Sequence, residues 1–278
     1  MFGHALVIGN FNGDLYGDLA FGVPYEDTGP MPDVGIVHVL LGNASGLSSI
    51  GAKSFNQDSA EVPGANEAND QFGFSLAAGD FDGNGYSELA IGVPYEDIGT
   101  IPNAGAVTIL PGSSTGPTAS GSKSWYQDTQ FIQGVCSSGD LFGYSLAASD
   151  TETFADLAIG VPGETNTSGA INVLWGGPYG GLMHNGNKIW AQSSVLETVE
   201  LGDRFGWQVS MADFNGDGNA DVAVSVPGED LGGIIDAGAV HVLYSLYADA
   251  SSQFWSQNSL GILDSCEAND GLGRALSR

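Results

Sequence analysis

Residues 72–94 read FGFSLAAGDFDGNGYSELAIGVP, and this stretch decides the fold because the chain repeats it. Its opening dipeptide returns at Phe2-Gly3, Phe142-Gly143 and Phe205-Gly206, and a fifth version, Leu272-Gly273, stands near the end of the chain. The spacings are 70, 70, 63 and 67 residues (72−2, 142−72, 205−142 and 272−205), which are typical of one supersecondary unit repeated in tandem. A residue present in every copy is therefore expected to hold the unit together.

Each repeat predicts four short antiparallel strands. In the second copy we expect them at Phe74–Ala78, Glu88–Val93, Ala106–Leu110 and Ser124–Gln127, which are rich in β-branched or aromatic residues and bounded by Gly, Pro, Asn or Asp. No segment keeps a helical apolar period for ten residues, so we predict an all-β chain. Four strands in every repeat are typical of a propeller blade. We therefore expect a single β-propeller array over residues 1–278, with blades at about 2–58, 72–128, 142–193 and 205–258 and a partial blade at 272–278.

The charge balance excludes one class of partner. Six Lys and Arg residues stand against 33 Asp and Glu residues, a net charge of −27. Such a surface repels phosphate backbones and anionic membranes and attracts divalent cations, so nucleic-acid binding and membrane insertion are not expected. No apolar run approaches the ~20 residues of a membrane span. The chain begins directly within a repeat, without the regions of a signal peptide, so we expect any export signal to lie outside it.

The loop between the first and second strands carries the candidate chemistry. In three copies it places oxygen-bearing side chains at loop positions 1, 3, 5 and 9, while position 7 offers a backbone carbonyl. Hard cations need six to eight oxygen ligands, and a crowded set supplied entirely by protein favours Ca²⁺ over Mg²⁺. The predicted metal ligands are Asn10, Asn12, Asp14, Tyr16 and Asp18 in the first copy, Asp80, Asp82, Asn84, Tyr86 and Glu88 in the second, and Asp213, Asn215, Asp217, Asn219 and Asp221 in the fourth.

The copies differ in how well they should bind calcium. The first loop has two carboxylates where the second and fourth have three, and Leu15 replaces an expected glycine, so weaker binding is predicted there. The third copy is two residues shorter between its Phe-Gly and Val-Pro, and the loss falls within residues 150–156. We therefore expect about three calcium sites and an empty third loop. The alternative for all these loops is a plain Asx/Gly hairpin turn.

The order of these motifs resembles that of a known family. Phe-Gly, then Asp-x-Asn/Asp-Gly-Asp/Asn-Gly-x-x-Asp/Glu-Leu, then Gly-Val-Pro is similar to the FG-GAP repeats of the integrin α-subunit propeller, and closer still to their bacterial extracellular relatives. The resemblance covers residues 2–273. It implies a β-propeller with calcium in the hairpin loops of one face and partner recognition on the other, acting in adhesion or matrix contact at the cell surface or outside the cell.

Family propellers usually have seven blades, whereas this chain has four and part of a fifth. We therefore favour a segment of a larger, seven-bladed type of ring. A closed ring of four blades and a ring completed by a second chain remain as alternatives. An open array would expose an apolar blade face at each end, which favours self-association.

Three further features are assigned to structure. The pairs Phe55/Gln57, Trp125/Gln127, Trp190/Gln192 and Trp255/Gln257 suit packing between blades with a hydrogen-bonded amide, although a sugar-stacking platform is an alternative. A Glu that follows each Val-Pro is expected to cap backbone amides of its own loop; these are Glu26, Glu96, Glu164 and Glu229. Cys136 and Cys266 occupy equivalent positions two repeats apart and are expected to be unpaired.

The function predicted from these patterns is a calcium-stabilised extracellular binding or adhesion propeller. Its partner would be a protein or matrix ligand, recognised through the long loops between the second and third strands. The alternatives are a lectin-type propeller that binds glycans and a non-catalytic accessory domain of a secreted enzyme. The signature Gly112-Ser113-Ser114-Thr115-Gly116 is followed by Pro117 where a nucleophile elbow needs a helix, and the four histidines are dispersed. We therefore expect that the chain is not an enzyme.

Overall fold

The computed structural model describes residues 3–149, 153–178, 181–195, 199–244, 246 and 251–276. Within these residues the chain forms four antiparallel sheets of four strands, each following the order of the chain. The all-β fold class is confirmed, and each sheet is a blade of a β-propeller. The strands are β1 (Leu6–Gly9), β2 (Asp18–Val23), β3 (Ile36–Asn43), β4 (Gly46–Phe55), β5 (Ser75–Gly79), β6 (Glu88–Val93), β7 (Ala106–Leu110), β8 (Lys123–Trp125), β9 (Ser145–Ser149), β10 (Asp156–Val161), β11 (Ala170–Trp175), β12 (Met183–Ala191), β13 (Val209–Ala212), β14 (Asp221–Val226), β15 (Ala239–Tyr244) and β16 (Ser251–Trp255).

In the described residues, helical structure is limited to two short elements in the third repeat. A turn at Glu164–Thr167 follows β10, and a 3₁₀ turn at Gln192–Val195 follows β12. The first of these is irregular, since Thr165, Asn166 and Thr167 all have positive φ (51°, 58° and 70°). This left-handed segment stands where the third repeat has its shortened connection between the second and third strands.

Successive blades pack face to face through three apolar clusters. Val37, Phe72 and Leu89 belong to the cluster between the first and second blades. Equivalent clusters join the second blade to the third and the third to the fourth. Because both faces of the two inner blades are covered, β6 and β10 are buried at every position. This explains why these strands read as continuous apolar runs.

The array is open in the part of the chain that the structure describes. No fourth apolar cluster joins the fourth blade to the first within those residues. On β1, Leu6 and Ile8 are 65% and 71% exposed, whereas Leu76 and Ala78 at the same positions of β5 are buried. The outer face of the first blade is therefore uncovered.

The repeated glycines are required by the close approach of one blade to the next. A Cβ at Gly22 would lie 2.0 Å from the carbonyl oxygen of Gly73. Gly35 has a φ of 88°, and it forms a parallel bridge with Phe72 of the following blade. The Gly-Val-Pro motif of one blade thus packs against the Phe-Gly motif of the next blade, and together they form the joint between the two blades. The same close contact is made at Gly92 with Gly143 and at Gly160 with Gly206.

The glutamine of each aromatic-x-Gln pair also joins two blades. Gln57 Nε2 donates a hydrogen bond to Glu96 Oε2 of the next blade, at 2.6 Å. The structure corrects the expectation that this Glu caps its own loop, because the carboxylate accepts from the amide of the preceding blade. The same bond recurs as Gln127 to Glu164 (2.6 Å) and Gln192 to Glu229 (2.5 Å).

The aromatic partners of these glutamines are buried as predicted. Phe55, Trp125 and Trp190 are each less than 9% exposed, so their faces cannot stack on a sugar. Trp255 on the uncovered side of the fourth blade is 39% exposed. The prediction of unpaired cysteines is confirmed, since the two thiols are free and buried. In the described part of the chain, helices long and apolar enough to span a bilayer do not occur.

Candidate metal-binding loops

The second loop, residues 80–88, folds tightly around its first carboxylate. Asp80 Oδ1 accepts hydrogen bonds from the backbone N–H groups of Gly83 (2.8 Å) and Asn84 (3.0 Å), and Asp80 Oδ2 accepts from Gly85 N–H (2.9 Å). The two glycines have φ values of 73° and 89°, a region that side chains disfavour. The glycines at positions 4 and 6 therefore allow the backbone to turn around position 1.

Three carboxylates converge in this second loop. Asp80, Asp82 and Glu88 each offer an oxygen within 4.8 Å of the others, and among the described residues this is the single such group of His, Cys, Asp and Glu side chains. Positions 3 and 5 are oriented by short-range bonds, since Asp82 Oδ1 accepts from Asn84 N–H and Asn84 Oδ1 accepts from Tyr86 N–H. Three of the five predicted ligands of the second copy are thus brought together.

Glu88 is a buried carboxylate in negatively charged surroundings, as expected for the ligand of a cation. It is 4% exposed, and its Oε2 accepts from Phe81 N–H at 2.7 Å, while its buried Oε1 has only a weak contact with the backbone of Gly112. Burial, and then the negative charge of Asp82, raise the pKa of Glu88 to about 7. A buried carboxylate oxygen close to two other carboxylates is costly unless a cation compensates it. The residues present therefore fit a hard divalent ion.

The fourth loop repeats the backbone pattern of the second. Asp213 Oδ1 accepts from the N–H groups of Gly216 (2.7 Å) and Asp217 (3.1 Å), and Oδ2 accepts from Gly218 N–H (2.9 Å). Asp221 is fully buried, and its Oδ2 accepts from Phe214 N–H at 2.9 Å. The fourth loop is less covered than the second, because Phe214 is 49% exposed whereas Phe81 at the same position is buried.

The first loop has a different arrangement. Asn10 Nδ2 donates to the carbonyl oxygen of Asp14 (2.8 Å), and Asn12 Nδ2 donates to Asp14 Oδ2 (2.8 Å). Leu15 is 96% exposed and lies outside the left-handed region that the glycine of position 6 adopts in the other two loops. The first loop therefore uses amide groups to fold on itself, and the weaker binding predicted from its charge stays a prediction.

Position 9 has a structural role that the sequence reasoning missed. Both oxygens of Asp18 accept backbone N–H bonds, from Phe11 (2.9 Å) and Gly42 (2.8 Å). In the third repeat the buried Asp156 accepts from Gly176 N–H (2.9 Å), equivalent to the bond from Gly42. The persistence of Asp156 in a copy with a shortened loop was the available signal. Residues 150–152 of that loop lie outside the described part, so its predicted lack of metal stays a prediction.

A row of aromatic rings lies at the end of the first strands that is opposite the metal loops. His4, Phe74, Tyr144 and Trp207, which each follow a Phe-Gly motif, stack in order with ring centroids 4.9, 4.8 and 4.5 Å apart. The guanidinium carbon of Arg204 lies 5.1 Å from the centre of the Trp207 ring. The first three rings line a cavity of about 540 Å³ together with β1, β5, β9 and β13. The recurrence of a ring after each Phe-Gly was the signal that sequence reasoning passed over.

Comparison with known families agrees with this architecture. The model of the FG-GAP repeat matches residues 72–110 and 205–243, which contain the second and fourth loops. Two segments of this chain therefore match the FG-GAP repeat. The matched segments belong to the two repeats in which positions 1, 3, 5 and 9 carry oxygen-bearing side chains and positions 4 and 6 are glycine.

Proteins similar to this chain include integrin α subunits. Integrin alpha-PS2 of Drosophila melanogaster is 27% identical over 276 residues, which is 95% of this chain and 18% of that protein. Integrin alpha-7 of Homo sapiens is 30% identical over 176 residues, 59% of this chain and 12% of that protein. A phosphatidylinositol-glycan-specific phospholipase D of Bos taurus is 29% identical over 183 residues, 63% of this chain and 20% of that protein. The chain thus spans less than a quarter of the length of these relatives.

Proposed function

We propose that this chain is a calcium-stabilised extracellular binding propeller that recognises a protein or matrix partner. The single observation that carries the calcium part is the second loop, where the buried carboxylate of Glu88 lies within 4.8 Å of carboxylate oxygens of Asp80 and Asp82. Side chains at positions 1, 3, 5 and 9 and the carbonyl of position 7 would hold the ion. When bound, the ion would neutralise the carboxylates and cross-link the loop.

Calcium is favoured over other divalent ions by the donor chemistry. The set is entirely oxygen, it contains no Cys or His, and the loop supplies nearly all of the six to eight ligands from one short segment. We expect sites in the first, second and fourth loops, the first weaker, and no site in the third. The net charge of −27 further favours the accumulation of dications near the surface.

The proposed partner surface is the face opposite the metal loops. It carries the aromatic row and the long connections 25–34, 95–104 and 228–237. Half-exposed aromatic rings are enriched at the centres of protein interfaces because they bury a large area at low entropic cost. In the third repeat the shortened connection borders a polar cleft of about 630 Å³ that includes Asp140 and Asn166. The similarity to integrin α subunits supports this partner surface and an extracellular or cell-surface location.

Two alternatives rest on specific observations. A lectin-type propeller is favoured by the aromatic row and the polar cleft, which offer stacking faces and hydrogen-bonding groups. A non-catalytic accessory domain of a secreted enzyme is favoured by the similarity to the phospholipase D named above. We propose that the chain itself has no catalytic activity.

The calcium proposal is tested by a melting curve and a calorimetric titration of the purified chain. Addition of Ca²⁺ should raise the melting temperature, and EGTA should lower it, whereas Mg²⁺ at the same concentration should have a smaller effect. A melting temperature that does not respond to either Ca²⁺ or EGTA would show that calcium does not stabilise the chain. The partner is then sought with a matrix-protein array and a glycan array in the presence of Ca²⁺. Binding only to glycans would favour the lectin alternative.

A further inference from the structure

The metal loops of the first and second blades are each held by the blade that follows. Ser87 N–H donates to the carbonyl oxygen of Asn10 at 2.9 Å, and Asn10 N–H donates in return to Ser87 Oγ at 3.2 Å. The next boundary repeats the first bond, since Ala155 N–H donates to the carbonyl oxygen of Asp80 at 2.9 Å. Position 8 of one loop is therefore bonded to position 1 of the loop before it.

An aromatic ring adds to this connection between neighbouring loops. The ring of Tyr86 lies directly over Gly13, where a Cβ would be 2.6 Å from Tyr86 Cε1. The ring of Phe154 covers Gly83 in the same way, at 2.7 Å. In the fourth loop, no described atom lies within 4 Å of a Cβ built on Gly216. The first and second loops are thus covered by a following blade, and the fourth is not.

The residues that make this connection also belong to the second metal loop. Tyr86 is position 7, whose backbone carbonyl is a proposed calcium ligand, and Ser87 is the next residue. An ion in the second loop would fix the carbonyl of Tyr86, and with it the ring over Gly13 and the N–H group that holds Asn10. The second loop itself is covered by Phe154, which belongs to a blade with no predicted ion.

The first loop is the one that needs such support. It has two carboxylates among its proposed ligands, and the side-chain amide of Asn10 is turned to the carbonyl of Asp14 rather than accepting backbone N–H groups as Asp80 does. Its backbone is therefore less organised by its own residues, so contacts from outside the loop should contribute more of the ordering that an ion requires.

We infer that an ion bound in the second loop prepares the first loop for its own ion, while the fourth loop binds independently. This inference rests on the calcium loops of the proposed function. Because coupling between two sites is reciprocal, an ion in the first loop would strengthen binding in the second by the same factor. Coupling of this kind is typically about 5- to 150-fold in affinity.

The experiment follows backbone amide signals of a ¹⁵N-labelled chain during a calcium titration. Gly13, Gly83 and Gly218 report on the first, second and fourth loops. In the variant Asp82→Asn, which removes one ligand charge from the second loop, the midpoints of both Gly83 and Gly13 should move to higher calcium, that of Gly13 by about fivefold or more. The midpoint of Gly218 should not change.

A second variant separates the connection from the metal ligands. Tyr86→Leu keeps the backbone carbonyl and every side-chain ligand but removes the ring over Gly13. The midpoint of Gly13 should again rise several-fold. That of Gly83 should move less, because the weaker first loop is mostly empty while the second fills, and that of Gly218 should not change. Tyr126→Leu, at a half-buried position away from the loops, is the matched control and should leave all three midpoints unchanged.

The outcomes distinguish this inference from the proposed function. If Asp82→Asn shifts Gly83 but leaves the midpoint of Gly13 where it was, the loops are independent and the inference is wrong. The same conclusion follows if Gly13 shows no transition while Gly83 and Gly218 do. If calcium titrates none of the three glycines, the calcium loops themselves are rejected.

Discussion

Gln57 Nε2 lies 2.6 Å from Glu96 Oε2, and this bond crosses the boundary between the first and second blades. Glu96 lies near the carboxylates of Asp70, Glu67 and Asp97, and no described basic group offsets their negative charge. Burial first, and then these carboxylates, raise the pKa of Glu96 to about 7, although the bond from Gln57 opposes the rise. The side-chain amide of Gln57 thus compensates part of the cost of burying the Glu96 carboxylate at this joint.

Removal of this amide should weaken the joint. Gln57→Ala leaves Glu96 without its donor, so we expect a loss of about 1–3 kcal/mol in the free energy of unfolding, measured by urea denaturation in saturating calcium. Gln257→Ala is the matched control, because Gln257 Nε2 donates to Asp264 Oδ2 of its own repeat, at 3.5 Å. An equal loss in the two variants would show that the bond between blades has no special role.

Stability should depend on pH through the same joint. The folded pKa of Glu96, about 7, is above its ordinary value of 4.5, so the folded state holds the proton more tightly than the unfolded chain. The resulting stabilisation is fully present below pH 4.5 and is lost as the pH rises through 7. We expect the melting temperature to fall across this range, and to fall less in Glu96→Gln, which keeps a partner for Gln57.

That prediction is checked by melting curves of both proteins from pH 4 to pH 8 at constant ionic strength. The wild-type chain also carries other raised carboxyls, since burial raises the pKa of Asp70, Asp140 and Asp203 to about 6. The difference between the two curves therefore isolates Glu96. Parallel curves would exclude Glu96 as a source of the pH dependence.

The sequence predicted the blades well because each repeat carries its own strand and turn signals. The ends of β6 and β7 were predicted to the residue, and β5 begins at Ser75, one residue after the predicted Phe74. The joints were harder to predict because they are made by residues about 40 positions apart in different repeats. Spacing within one repeat could show that Gln57 and Glu96 recur, but not that they meet.

The candidate metal loops were predictable for a related reason. Their ligands lie within nine residues of each other, so sequence spacing alone determines which oxygens can converge. What spacing could not show was the burial of Glu88 or the ring of Tyr86 over Gly13, because both depend on the next blade. Similarly, the hydrogen bond from Gly42 N–H to Asp18 could not be predicted, because Gly42 lies in the third strand of the blade and its position relative to Asp18 is known only from the fold.

The close approach of Gly22 to Gly73 predicts a severe effect of a single methyl group. In Gly22→Ala the new Cβ would lie 2.0 Å from a backbone oxygen that cannot move without separating two blades. We expect a loss of about 3 kcal/mol in the free energy of unfolding. Gly29→Ala is the control: its φ is 61° and its Cβ would meet no atom within 4 Å, so the cost should be about 1–2 kcal/mol. Similar losses in both would mean that the joint adapts.

The first loop should gain affinity when it is made to resemble the second. In the double variant Asn10→Asp, Leu15→Gly, position 1 becomes a carboxylate that can accept backbone N–H groups, and position 6 can adopt the positive φ of 89° seen at Gly85. We expect calcium binding in this loop to tighten on the order of tenfold, because both the ligand charge and the preorganisation of the turn increase. The amide signal of Gly13 during a calcium titration provides the measurement. Asn43→Asp, at an exposed position outside the loops, adds the same charge and should leave that midpoint nearly unchanged. If the double variant bound no more tightly than Asn43→Asp, the loop sequence would not be what limits the first site.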